Sequence, residues 1–237
     1  MRLLVVLPTY NEVLNVESML RALRCEVPQA HILVVDDASP DGTAKVAQVC
    51  ADELTEISIL RREGKGGLGG AYRSGFHWGI ERGFDTFVEI DCDFSHDPRA
   101  LPRLLDAARD FEVVIGSRYV PGGQIPQWKL SRRMLSRGGN RYASAMLGLA
   151  VADSTAGYRV YSQSALEKID FESVSADGYG FQIEMTYRAR RGGASIVEVP
   201  ISFSDRQLGE SKMSSSIVAE ALWLVTKWAL RRPLRRS

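Results

Sequence analysis

Two aspartates one residue apart, Asp91 and Asp93, stand in Thr86-Phe-Val-Glu-Ile-Asp91-Cys-Asp93-Phe-Ser-His-Asp97-Pro98. Carboxylates at this spacing, just past an apolar run, can hold a hard divalent cation through oxygen. Alternatively, they are the solvated acids of a capped turn. Further candidates follow the same pattern. Asp36 and Asp37 end the run His31-Ile-Leu-Val-Val, and Glu12 ends Pro8-Thr-Tyr10-Asn-Glu12. Arg118 follows Val113-Val-Ile-Gly116-Ser. A tyrosine ring such as Tyr10 can stack on a base, while Glu12 and Asp36 can accept from base nitrogens or ribose hydroxyls. Late in the chain, Arg206 and Lys212 flank Gly209 in a polar stretch. Cations on such a loop can close over a diphosphate and stabilise its leaving charge.

The elements that position these groups alternate. Apolar runs of strand length at 2–7, 31–36, 57–60, 86–90 and 113–116 are each followed by a polar turn. Between them lie stretches with helical periodicity, the first capped by Asn11 and carrying Val16, Met19, Leu20 and Leu23 on one face. This alternation predicts an α/β fold, a mostly parallel sheet with helices on both faces. It brings Pro8–Glu12, Asp36–Asp37, Asp91–Asp93 and Arg118 to one edge, where open α/β sheets bind ligands. The second half predicts a basic amphipathic helix over 131–147 and a turn and strand over 153–161. A helix over 179–191 carries Gln182 and Glu184, a strand spans 195–203, and a closing helix spans 214–230. No linker divides the chain. We expect a catalytic domain over 1–213, with an amphipathic helix and basic tail over 214–237 belonging to the same domain.

Gly64-Lys-Gly66-Gly-Leu-Gly69 matches G-x-G-x-x-G in form, but follows the third strand rather than the first. A turn packed at a helix start, with backbone amides open to phosphate, is the preferred reading.

The totals narrow the function classes. The 237 residues carry a net charge of +1, which gives no global field for nucleic acid. Three cysteines, without C-x-x-C, suggest neither a disulfide framework nor structural zinc, so a reducing, cytosolic setting is expected. No apolar run of about 20 residues predicts a membrane span. The charge is nevertheless clustered. Lys129, Arg132, Arg133, Arg137 and Arg141 crowd one segment, and Lys227, Arg231, Arg232, Arg235 and Arg236 another. Each cluster is either a solvated face or an anion-binding one. The closing helix has an apolar face that can dock on the core or lie in a membrane interface with Trp228 at the headgroups.

Taken together, the motifs at 8–12, 35–43, 91–98, 116–119, Gly178-Tyr-Gly-Phe-Gln-Ile-Glu-Met185 and Val199-Pro-Ile-Ser-Phe-Ser-Asp-Arg206 with Gly209-Glu-Ser-Lys-Met213 carry a resemblance. The chain resembles the polyprenol (dolichol) phosphate mannosyltransferases, GT-A enzymes of glycosyltransferase family 2. The resemblance implies inverting transfer of mannose from GDP-mannose to a polyprenyl monophosphate, with Mg2+ or Mn2+. By the same resemblance, Pro8, Tyr10, Glu12, Val34 and Asp36 hold the guanosine. Asp91 and Cys92 contact the nucleotide sugar, and Asp93 is the metal ligand. Arg118, Arg206 and Lys212 face phosphates, and the catalytic set is Asp91, Asp93 and Arg118. The chain departs from the family at Cys92, where alanine is usual, and at Ser95, where some members carry a glutamine metal ligand. It also lacks the C-terminal membrane helices of many members. The expected setting is therefore peripheral, on the cytoplasmic face of a membrane, with a membrane-embedded partner protein conceivable. The alternatives are a family 2 transferase using another sugar nucleotide such as UDP-glucose, and a non-catalytic sugar-nucleotide-binding subunit.

Overall fold

The strands form where apolar, largely β-branched runs can be buried on both faces, as a sheet covered by helices demands. The computed structural model describes residues 1–206 and 215–230, with the side chains of 215–219 outside that description. The elements in order are β1 (Leu3–Thr9), α1 (Val16–Glu26), β2 (His31–Asp36), α2 (Thr43–Glu53), β3 (Ile57–Arg61), α3 (Gly67–Glu81), β4 (Thr86–Glu89) and α4 (Leu101–Ala107). They continue with β5 (Val113–Ser117), α5 (Leu130–Leu147), β6 (Arg159–Ser162), α6 (Gln163–Ile169), α7 (Gly178–Arg191), β7 (Ile196–Pro200) and α8 (Ser215–Leu230).

Successive side chains of a strand point to opposite faces, and β1 shows the consequence. Leu4 and Val6 join a core with Phe76, Phe87, Phe181 and Val225, on the side of α3, α5, α7 and α8. Leu3, Val5 and Leu7 join a second core with Met19, Leu20, Cys50 and Leu104, on the side of α1, α2 and α4. The sheet order among the described residues is β3-β2-β1-β4-β6-β5-β7. From β1 the chain winds outward through β2 and β3, then returns to place β4 on the other side of β1, both neighbours parallel to it. The strand order thus reverses between β1 and β4, the switch point at whose carboxyl edge such sheets take ligands.

Three features depart from the sequence expectation. The strand at 159–162 inserts antiparallel between β4 and β5, so β5 is parallel to β4 but no longer beside it. Helix α1 starts at Val16, and Asn11 does not cap it. Its φ of 57° puts it in the left-handed region, which asparagine tolerates better than most residues. The last strand ends at Pro200, and residues 202 and 203 make only isolated bridges, Gln124 with Ser202 and His96 with Phe203. Helix α8 packs on the body of the protein. Ala221 and Val225 are buried, Leu224 lies against Gly180, Trp228 stacks on Tyr187, and Tyr142 bonds Thr226.

Candidate active site

The loops leaving β1 and β4 face each other at the switch point, and one arginine ties them together. Arg206 Nη2 lies 3.1 Å from Glu12 Oε1, and Arg206 Nε lies 3.1 Å from Asp93 Oδ2. Glu12 is held in place by its own loop and by the start of α2. Its amide donates to Thr43 Oγ1, and its Oε2 accepts from Asn15 Nδ2. Asp93 is held by the Ser95 amide, 3.0 Å from its Oδ1. The guanidinium therefore sits where β1 and β4 present their acids, and it marks a place built for positive charge.

The two aspartates behave differently. Asp91 keeps 34% of its side chain exposed to the cleft. Desolvation, with the charge of Asp93 beside it, pushes its carboxyl up to about 7, and Tyr72 donates to its Oδ1 from 3.4 Å. For Asp93, burial works to raise the pKa. The Ser95 hydroxyl and amide, together with Arg206, outweigh it and hold the carboxyl below its ordinary range. Asp93 is thus the better anion and the better ligand for a hard cation. No group of three or more described His, Cys, Asp or Glu side chains gathers to hold a metal by itself. One or two carboxylates with substrate oxygens completing the shell is how Mg2+ is ordinarily bound beside phosphates, and the donors here fit that pattern. Ser95 stands 4% exposed and serves Asp93 as a donor.

The remaining expected residues divide. Pro8 and Tyr10 stay partly exposed at the end of β1, with Lys65 Nζ 4.5 Å above the Tyr10 ring. Asp36 is 2% exposed, and its oxygens accept from Thr9 Oγ1, Ser39 N and Ser39 Oγ, so in this arrangement it closes its own turn. Val34 and Cys92 need correction as side-chain contacts. Val34 is fully buried in the core beneath the rim, and Cys92, at 3%, points into the same core. Val34 sits two residues short of the strand end, too deep to reach the rim, and in the turn after β4 the Cys92 side chain packs inward.

Arg118 also needs correction as a free phosphate-facing cation. Its Nε and Nη2 form a bidentate pair with Asp153 at 2.7 and 2.6 Å, and Nη2 also donates to Thr155. Both partners are nearly inaccessible. Asp153 had carried no assigned role, because nothing in its local sequence marks a partner 35 residues away. The glycine-rich turn is likewise already served. Gly66 N donates to Asp37 and Gly69 N to Asp177, so carboxylates of the chain occupy amides that the sequence left open to phosphate. Lys212 lies outside the described residues.

Beneath the cleft is a buried polar layer that the sequence did not signal. Glu89, with no exposed surface, accepts from Gln182 Nε2 at 3.0 Å. Burial pushes its carboxyl up to about 8 against the pull of Arg159 and Gln182. Arg159 is equally inaccessible and donates to the Ala156 and Ser154 carbonyls, Tyr161 and Thr186. Burial drives His96 down to about 4, so its ring is neutral.

With this geometry in place, similarity to known proteins becomes informative. Residues 4–170 match the profile described as glycosyl transferase family 2. The chain belongs to glycosyl transferase family 2. An undecaprenyl-phosphate mannosyltransferase of Micrococcus luteus is 53% identical over 230 residues, covering 97% of this chain and 95% of the relative. A polyprenol monophosphomannose synthase of Mycolicibacterium smegmatis is 47% identical over 238 residues, covering 100% and 90%. Among solved structures, glucosyl-3-phosphoglycerate synthase from Mycobacterium tuberculosis, in complex with phosphoglyceric acid, superposes with a TM-score of 0.73. It has 18% identity, and the match covers 99% of this chain and 81% of that one. A mannosyltransferase of Pyrobaculum calidifontis in complex with GDP-mannose and Mn2+ gives 0.68 at 16%, covering 98% and 65%. These two likenesses speak for the fold, the GT-A arrangement expected of a family 2 glycosyltransferase.

Proposed function

We propose that this family 2 glycosyltransferase moves mannose from GDP-mannose to a polyprenyl monophosphate, inverting the anomeric centre. An oxygen of the lipid phosphate forms the new bond to the anomeric carbon. The bond from that carbon to the diphosphate breaks, and GDP departs with its electron pair. A phosphate monoester is already anionic near neutral pH, so the nucleophile needs no protein base, which agrees with a neutral, buried His96. The site has to supply positioning and neutralisation of the leaving group.

In this reading Glu12 and Tyr10 hold the nucleoside, and Asp91 faces the sugar. Asp93 would hold Mg2+ or Mn2+. When bound, the ion adds positive charge at the departing diphosphate. Arg206 turns from the two acids to the diphosphate, and Lys212 joins it. Arg118, fixed by Asp153, holds the shape of the rim. One observation carries the reading: Arg206 links the acids of β1 and β4 at the switch point, in a chain matched nearly end to end by two relatives named for this transfer.

The lipid acceptor requires a membrane surface, and α5 and α8 supply a suitable face. No described helix is long and apolar enough to cross a membrane. Leu130, Met134 and Leu135 of α5 are 65–70% exposed, and Trp223 of α8 is 60% exposed. Arg133, Arg137 and Arg141 share α5 with them, and Lys227 lies over the Trp223 ring at 4.8 Å. Apolar side chains interleaved with cations suit an anionic headgroup layer. The cytoplasmic leaflet, where sugar nucleotides are supplied, is the proposed setting, with or without a membrane-embedded partner. Titration calorimetry with Mn2+ tests the donor. GDP and GDP-mannose are expected to bind and UDP-glucose is not; preference for UDP-glucose overturns this choice of donor.

A further inference from the structure

Gly157 lies in the turn before β6 and leaves a gap where three polar side chains converge. A Cβ at this position would stand 3.5 Å from Asp91 Oδ2, 3.7 Å from His96 Nε2 and 4.0 Å from Gln182 Nε2. The three come from separate parts of the chain: the end of β4, the loop after it, and α7. His96 and Gln182 are each 2% exposed, whereas Asp91 and Gly157 open to the cleft.

The atoms that face the gap have bonding capacity to spare: His96 Nε2 meets Asp91 Oδ2 only at ion-pair distance, and Gln182 Nε2 gives Glu89 one of its two hydrogens. His96 Nε2 and Asp91 Oδ2 stand 3.9 Å apart. That is too far for a direct hydrogen bond, yet one oxygen placed over Gly157 can bond both at ordinary lengths. The other amide hydrogen of Gln182 Nε2, whose first goes to Glu89, is within reach of the same space.

The chemistry selects the occupant. Asp91 only accepts when ionised, and a neutral imidazole and an amide each donate and accept. With polar atoms standing 3.5–4.0 Å from a single added atom, the gap has the room of a hydroxyl and not of a phosphate. A neutral group that both donates and accepts fits, and that is a hydroxyl. We propose that the Gly157 notch receives a hydroxyl of the donor's hexose, with Asp91, His96 and Gln182 as its partners and the missing side chain as its room. The proposal rests on the mannosyltransfer reading of the cleft and adds the residues that orient the sugar rather than the nucleotide.

The notch can be filled without straining the backbone. Gly157 is not among the residues with positive φ, and the nearest atoms stand at ordinary contact distance. The experiment is calorimetric titration of GDP and of GDP-mannose, with Mn2+, into the wild type, Gly157→Ala and Gly157→Ser. A lost hydroxyl contact typically costs tenfold or more, so both variants should bind GDP-mannose at least about tenfold more weakly than the wild type. Their affinity for GDP should stay within about twofold. Should Gly157→Ala melt early, Gln182→Met carries the same test, because it removes the amide at similar volume. GDP-mannose affinity unchanged in these variants overturns the notch, which then holds only water. A wild type that binds neither GDP nor GDP-mannose overturns the transfer reading itself, and the notch with it.

Discussion

Replacing Glu89 by glutamine should remove a pH dependence of stability that the fold carries in its centre. The folded chain keeps the Glu89 carboxyl protonated up to about 8, because burial outweighs the attraction of Arg159 and the hydrogen bond from Gln182. In the unfolded chain the group ionises near its ordinary value of 4.5. Between these values the folded state holds a proton that the unfolded state has released. The contribution of Glu89 is therefore fully present below about 4.5, declines as pH rises, and levels off above about 8. At about 1.4 kcal/mol per pH unit, going from pH 5 to pH 8 costs the wild type on the order of 4 kcal/mol through this residue. Glutamine reproduces the shape of the neutral acid and can still accept from Gln182, yet it has no proton to lose. Urea denaturation at pH 5 and pH 8 should show Glu89→Gln close to the wild type at the lower pH. At the higher pH the variant should be more stable by on the order of 4 kcal/mol. For a chain of this length that corresponds to a melting difference of roughly 8–16 °C. A stability gap that is the same at both pH values, or one that favours the wild type at pH 8, refutes the account of the buried layer.

Other perturbations separate framework from chemistry. Asp153→Ala leaves the Arg118 guanidinium buried without its counter-ion, and should cost about 3–5 kcal/mol in chemical denaturation. Arg206→Ala should lower transfer from GDP-mannose by on the order of 10² or more while leaving the melting temperature within a few degrees, since the residue bridges loops rather than core elements. Met134→Asp with Leu135→Asp should weaken co-flotation with anionic vesicles and leave GDP affinity unchanged, because both side chains are exposed on α5. Unaltered flotation would argue against α5 as the membrane-facing surface.

The parts that were legible in the sequence are those governed by local rules. Apolar runs ending in acids at 7–12, 34–37 and 90–93 identified strands and their carboxyl edges, and their alternation put those edges on one rim of a mostly parallel sheet. Exchanges between distant residues were not legible. Asp153 cancels the charge of Arg118 across 35 residues, and Asp177 takes an amide of the glycine-rich turn across 108. Glu89 reads as an ordinary polar residue in a strand, and only the antiparallel insertion of β6 shows that Arg159 and Gln182 enclose it. Val34 and Asp36 stand two residues apart on one strand, yet one is core and the other closes a turn. Motif spacing assigns both to a rim, whereas packing decides which side chain reaches it.

The central claim is metal-assisted mannosyl transfer at Asp93, and turnover tests it most directly. Purified chain, radiolabelled GDP-mannose, polyprenyl phosphate in anionic vesicles, and Mg2+ or Mn2+ should yield a labelled lipid. Chelation should abolish the product, and folded Asp93→Ala should lower the rate by on the order of 10³. Full transfer by Asp93→Ala in the presence of chelator, or transfer from UDP-glucose but not from GDP-mannose, would contradict the account.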